Sequence, residues 1–178
     1  MTSLKKNFIY NVVYQMLLII LPLITAPYIA RTLGAEGVGI YSYTYSVAQY
    51  FLLFAMLGIS NHGNRSIAAV RDNKEKLSKT FWSIYSIQAF MYVLAIMAYL
   101  IYLFAFDVDN KIIVAIQFIY VVSGALDISW YFFGTEQFKV TVTRNTVIKI
   151  VTVILMFIFV HNPGDLAKYT IIMAAGTF

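Results

Sequence analysis

Long apolar runs alternate with short polar stretches along the whole chain, and the runs are of similar size. A helix crossing the hydrocarbon core of a bilayer needs about 20 consecutive apolar residues, and that length recurs. The pattern predicts spans over about residues 7–30, 40–59, 80–106, 112–133 and 145–160, with a sixth beginning near Ala167 and incomplete at residue 178. Pro22 and Pro27 should kink the second half of span one, and a tight turn over Arg31–Gly39 follows it. The remaining connections are a polar stretch from Ser60 to Lys79, then Asp107–Lys111, Gly134–Arg144 and His161–Asp165. The first run is too long for a signal-peptide core and has no small-residue cleavage site behind it, so it reads as a retained helix. Residues 167–178 are too few to cross. The expected architecture is an all-α polytopic membrane bundle, and the chain is expected to be a piece of a larger transporter-like protein.

The spans are not apolar all round. In span one, Asn7, Asn11, Gln15, Pro22 and Thr25 fall in one sector at the helical advance of about 100° per residue. Span two carries Ser42, Tyr45, Ser46 and Gln49 at helical spacing. Span three has Tyr85, Tyr92 and Tyr99 at heptad spacing. Span four has Gln117, Tyr120, Gly124, Asp127, Tyr131 and Gly134 on one stripe. Lipid cannot satisfy polar side chains, so each stripe must face other helices or a wet cavity. Both readings stand at this point: interhelical packing, or the lining of a path for a polar substrate, with Asn11, Gln15, Ser42, Gln49 and Gln117 as the cavity-lining candidates.

Composition agrees with the lipid reading. The chain of 178 residues is 61% hydrophobic and 12% charged, with a mean hydropathy of +0.76; soluble domains carry about 25% charge. Its net charge of +5 would fit a nucleic-acid binder, but the distribution assigns it to topology. With the N-terminus inside, the inner segments hold ten basic residues (Lys5, Lys6, Arg65, Arg71, Lys74, Lys76, Lys79, Lys139, Arg144 and Lys149) and the outer ones three, Arg31, Lys111 and Lys168. Short loops of this kind obey the positive-inside rule, and juxtamembrane cations also attract anionic lipid headgroups. No nucleic-acid partner is expected. With no cysteine, disulfides and thiolate metal sites are excluded within this chain.

Asp127 is the most informative single residue. It lies six residues before Phe133, roughly 9 Å inside the inner boundary at the helical rise. An acid at that depth costs a few kcal/mol on insertion scales and usually pairs with a cation or carries a proton. Arg144 and Lys149 are the candidate partners, and a structural ion pair is the alternative to proton coupling. Trp130 and Tyr131 read as interfacial anchors. Other features carry no chemistry. Gly34, Gly37 and Gly39 follow no strand and precede no Lys-Ser/Thr pair, so a phosphate loop is not expected. His62 and His161 lack metal-ligand spacing, and no nucleophile–base pair is present. No cofactor, metal or catalytic residue is therefore expected.

Three stretches carry a resemblance. Ile29–Ser42, the segment from Leu57 through Arg65, Ala68, Arg71 and Asp72, and Asp127–Glu136 resemble, in this order and spacing, the polysaccharide biosynthesis flippases. These are the Wzx-type O-antigen and repeat-unit translocases of the MATE-like (MOP) superfamily. The resemblance implies two six-helix lobes around a central cavity, this chain being the N-terminal lobe cut inside its sixth helix. It also implies a function, moving an undecaprenyl-diphosphate-linked oligosaccharide across the bacterial cytoplasmic membrane, with a polysaccharide polymerase and chain-length proteins as further partners. A cationic cavity would hold the diphosphate, and Arg31, Arg65, Arg144 and Lys149 are the candidates here. The lipid II branch carries arginines within its first helix. This chain has no charge between Lys6 and Arg31, which points away from that branch. The alternatives are a cation-coupled multidrug exporter of the same fold, disfavoured by Arg144 and Lys149, and a fragment inactive without a second lobe. A membrane-embedded enzyme would need larger outer loops than these.

Overall fold

A computed structural model describes the backbone of residues 2–177 and the side chains of Met16 and of residues 19–177. Asn11 and Gln15 lie outside the described side chains. Among the described residues the chain is all helix and turn, with no strand.

Helix α1 (Thr2–Ala55) is one helical run broken at Gly34, where φ is 70° and ψ is 176°. Its first limb contains Pro22 and Pro27. The second limb gives way to a turn over Met56–Gly58, Gly58 taking a left-handed φ of 74°, so helix stops short of the expected Ile59. Helix α2 (Ile59–Val70) then occupies most of what reads in sequence as a merely polar stretch. It buries only Gly63 and Ile67, four residues apart on one face. Ile59, Gly63, Ile67 and Val70 do recur at helical spacing, but the polar residues between them keep the stretch from standing out beside the long apolar runs.

Helix α3 (Lys74–Ala105) starts six residues before the expected span because Asn73 caps it, accepting from the Lys76 N–H at 3.0 Å. Its 32 residues reach about 48 Å at 1.5 Å per residue, well beyond a hydrocarbon core of about 30 Å. The first turns, with Lys74, Lys76 and Lys79, therefore project past the apolar part. Helices α4 (Lys111–Ala125) and α5 (Ser129–Gly134) form the fourth span with a break between them. Helix α6 (Phe138–Phe159), a 3₁₀ turn (Pro163–Asp165) and α7 (Leu166–Ala175) complete the chain.

The second limb of α1 packs on α3 and α4 through Ala48, Tyr99, Leu103, Val114 and Val121. The first limb meets α6 and α7 through Ile29, Leu33, Met156, Val160 and Tyr169. Helix α4 also lies against α7, while α2 lies against α3 and α5 around Ile67, Ile84 and Trp130. Large apolar side chains cover the outside; Leu23 is 68% exposed and Phe104 72%. In water such a surface would aggregate. Among the described residues three helical spans, Lys74–Ala105, Lys111–Gly134 and Phe138–Phe159, are long and apolar enough to cross a bilayer. The molecule is a multi-pass membrane bundle.

Candidate functional site

The polar chemistry of the bundle gathers at the break in span four. Helix α4 ends at Ala125, and its last carbonyls lose their intrahelical donors. Gln88 of α3, fully buried, reaches into the gap. Its Nε2 donates to the Asp127 carbonyl at 2.9 Å and lies 3.4 Å from that of Ala125. Its Oε1 accepts from Trp130 Nε1 at 2.8 Å. One amide thus serves both sides of the break. Trp130 is 2% exposed and belongs to this clamp, not to the membrane interface where sequence reasoning put it.

Asp127 is not on a helix. Its Oδ1 accepts from the Ser129 N–H at 2.9 Å and from the Ser129 hydroxyl, the local turn by which aspartate competes with helical bonding. Arg144 of α6 donates from Nη2 to Ser129 Oγ at 3.4 Å and from Nε to Asn145 Oδ1 at 3.2 Å. Ser129 therefore links Asp127 to Arg144, where a direct ion pair was one of the expectations. Lys149 sits further along α6, half-buried. Arg31 is exposed just before the Gly34 turn, and Arg65 is exposed on α2 at the other end of the second limb of α1. Arg31 and Arg65 therefore lie apart from each other and from the break, while Arg144, on the same helix as Lys149, is bonded into it.

A second polar group joins α1 to α4. Gln49 Nε2 donates to the hydroxyls of Tyr45 at 2.6 Å and Tyr120 at 2.5 Å, and the two hydroxyls lie 3.2 Å apart. Tyr41 stacks on Tyr45 and meets Tyr169 of α7 edge-on. Ser42 is exposed beside this cluster, and its carbonyl accepts from Ser46 Oγ. Gln117 is buried, and its Nε2 has no hydrogen-bond partner among the described residues.

The stripes of spans three and four serve packing at several positions. Tyr99 donates to the Val114 carbonyl at 2.7 Å. A Cβ on Gly124 would meet the Tyr92 hydroxyl at 2.5 Å, and one on Gly134 would meet Ile67 Cβ at 2.7 Å and the Asn64 carbonyl oxygen at 2.9 Å. Gly63 leaves room in the same way for the Trp130 ring. Glycine is the only residue that fits these three contacts without a shift. Gln88 escaped the sequence reading. Its signal was available: a lone amide three residues after Tyr85 and four before Tyr92, on the tyrosine stripe.

At the same end an open cleft of about 420 Å³ lies between the first turns of α3 and α5, lined by Lys74, Leu77, Ser78, Phe81, Ile128 and Tyr131. Arg71, at the end of α2, pairs with Glu136 in the turn before α6. The carboxylate holds the guanidinium further into its charged range, chiefly through that hydrogen bond. Among the described residues no group of three or more His, Cys, Asp or Glu gathers as a metal site would require.

Residues 4–178 match the family described as polysaccharide biosynthesis protein. The chain is 30% identical over 171 residues to the "Putative O-antigen transporter" of Escherichia coli (strain K12). The match covers 93% of this chain and 40% of that relative, so the chain spans well under half the relative's length. No solved structure matches.

Proposed function

Because the chain belongs to the polysaccharide biosynthesis protein family of O-antigen transporters, we propose that it forms one lobe of a flippase for lipid-linked oligosaccharide repeat units. The cargo is an undecaprenyl-diphosphate-linked oligosaccharide, carried across the bacterial cytoplasmic membrane for surface polysaccharide synthesis. The observation that carries the reading is the match along nearly the whole chain. The buried hydrogen-bonded groups described above support it, since apolar spans hold polar side chains only where packing or a cavity satisfies them. The N-terminus, α2 and the α5–α6 turn face the cytoplasm in this reading, because ten of the thirteen basic residues lie on that side.

Arg144 and Lys149 are the diphosphate contacts nearest the Asp127–Ser129 turn, the arginine as a forked donor and the lysine as a point charge. Ser42, Gln49 and Gln117 line the path of the sugars. Transport then proceeds by rocking this lobe against a second one, so the 178-residue chain expressed by itself is inactive. Polymerase and chain-length proteins would receive the product.

The test is complementation of a strain lacking its repeat-unit flippase, with the gene's full reading frame and this chain expressed separately. Restored surface polysaccharide from the full frame alone is the expected result. Failure of the full frame with a range of repeat units would overturn the cargo. Arg144→Gln should reduce transport with normal membrane insertion. Loss of transport in Asp127→Asn assigns proton coupling to that carboxylate, and retained transport confines it to the turn.

A further inference from the structure

We propose that the cleft between the first turns of α3 and α5 binds one anionic phospholipid, its phosphate on Lys74 and Ser78 and an acyl chain along Leu77, Phe81, Ile128 and Tyr131. The four α3 residues occupy positions i, i+3, i+4 and i+7, so they line one face of the helix. The two ends of that face differ in polarity, Lys74 standing at one and Phe81 at the other, with Leu77 and Ser78 between them. Lys74 and the exposed Ser78 hydroxyl stand towards the projecting end of α3, and the ring of Phe81 lies deeper. That difference matches an amphiphile lying parallel to the helix, with its headgroup at the mouth.

The apolar wall is preformed. Phe81 stacks on Trp130 at 5.6 Å and meets Tyr131 edge-on at 5.2 Å. Trp130 is itself buried and tied to Gln88, so the ring beneath Phe81 is anchored in the core. Trp82, 60% exposed and edge-on to Phe81, opens this side to lipid.

Four of the six lining side chains are apolar or aromatic, which favours a lipid over a free anion. The length of α3 sets the mouth at the membrane surface, since its first turns extend past a core of about 30 Å. Lys76 and Lys79 add general attraction for anionic headgroups. Lys74 differs from them in lining a cavity. The site is independent of the cargo: a chain that fails to flip oligosaccharide should still hold the lipid.

Native mass spectrometry of the full chain from micelles doped with phosphatidylglycerol or phosphatidylcholine tests this. Retention of one phosphatidylglycerol, several-fold above phosphatidylcholine, is expected. Lys74→Gln should reduce it several-fold. Lys76→Gln removes the same charge from the opposite face of the same turns and should leave it intact. Ser78→Trp, which fills the cleft from an exposed position, should abolish it. Equal retention of the two lipids, or equal losses in the two lysine variants, would overturn the proposal in favour of diffuse charge attraction. Displacement by inorganic phosphate would also overturn it, in favour of a free-anion site.

Discussion

Two interruptions divide the long apolar helices, and they are built on opposite principles. At Gly34 the backbone takes φ 70° and ψ 176°, a region that only glycine occupies readily. Nothing lies within 4 Å of where a Cβ would sit. That turn is written into one residue's backbone freedom. The break over Leu126–Ile128 contains no glycine or proline. It exists because Gln88, 39 residues earlier, bonds the Asp127 carbonyl, because Asp127 captures the Ser129 N–H, and because Gly124 admits Tyr92. One interruption is local and the other is tertiary, so they should fail differently.

Gln88→Leu should produce the largest effect. It leaves the Trp130 indole N–H and the Asp127 carbonyl without their protein partner inside the bundle. Orphaning the buried indole N–H costs about 1–3 kcal/mol, and the part-buried carbonyl adds a smaller loss. Thermal unfolding in detergent reads the loss, and a blue or red displacement of tryptophan emission reports the change around Trp130. A variant as stable as the parent would show that the break forms without its clamp and would remove the contrast.

The two glycines offer the next test. Gly34→Ala meets no neighbour yet must hold a strained backbone, costing about 1–3 kcal/mol. Gly124→Ala has ordinary helical geometry but drives a methyl into Tyr92, an overpacking cost also of about 1–3 kcal/mol. The sizes coincide, so the discriminating experiment is the double variant. Tyr92→Phe deletes the closest atom, 2.5 Å from where the alanine methyl would sit, and should recover part of the loss at Gly124 and none at Gly34.

The same contrast explains what could be read from sequence. The apolar run lengths announced long helices, and the glycines announced an interruption after span one, but the expected turn over Arg31–Gly39 shrinks to the single residue Gly34, with Gly37 and Gly39 inside helix. The break at Asp127 was invisible: span four reads as one apolar run, and nothing in residues 112–133 reveals an amide arriving from α3. For the same reason Trp130 looked like an interfacial anchor. Its partners, Gln88 for the indole N–H and Gly63, Ile67, Phe81 and Ile84 for the ring, come from other elements and make it a core residue. Helix α2 was missed because it is hydrophilic on average, so the helical period of Ile59, Gly63, Ile67 and Val70 is hidden in a stretch that reads only as polar. Among the site candidates, the hydrogen-bond association of Arg144 with Asp127 was half legible. The charges were visible, and the intervening Ser129 was not.

A smaller effect is expected at the hydroxyl cluster between α1 and α4. Tyr45→Phe removes the acceptor for Gln49 and the neighbour of Tyr120, but Gln49 keeps its bond to Tyr120. Since one partner remains, the loss should stay near the net value of a single hydrogen bond, about 0.5–1.5 kcal/mol. A loss as large as that of Gln88→Leu would mean that this cluster, and not the clamp, holds the helices in register.

The turn at His161–Asp165 closes by charge, a third way of ending a helix, and its effect is the smallest and the most conditional. The Asp165 carboxylate accepts from Lys168 Nζ at 2.7 Å and from the backbone N–H groups of His161 and Asn162 at 3.0 and 3.1 Å. The lysine contributes most, and together these donors lower the carboxyl from 3.8 to about 2, against a smaller opposing push from burial. The folded-state value lies below the unfolded one, so the native state binds the proton less readily. The contribution to stability is then complete above about pH 4 and disappears as the pH falls towards about 2. Melting temperatures of the parent and of Asp165→Asn should therefore differ most near neutrality and converge on acidification through that window. Lys168→Gln should narrow the gap without closing it, since the two backbone donors remain. A constant gap down to pH 2 would show that the turn is held by its backbone, as at Gly34, and that its charge is incidental.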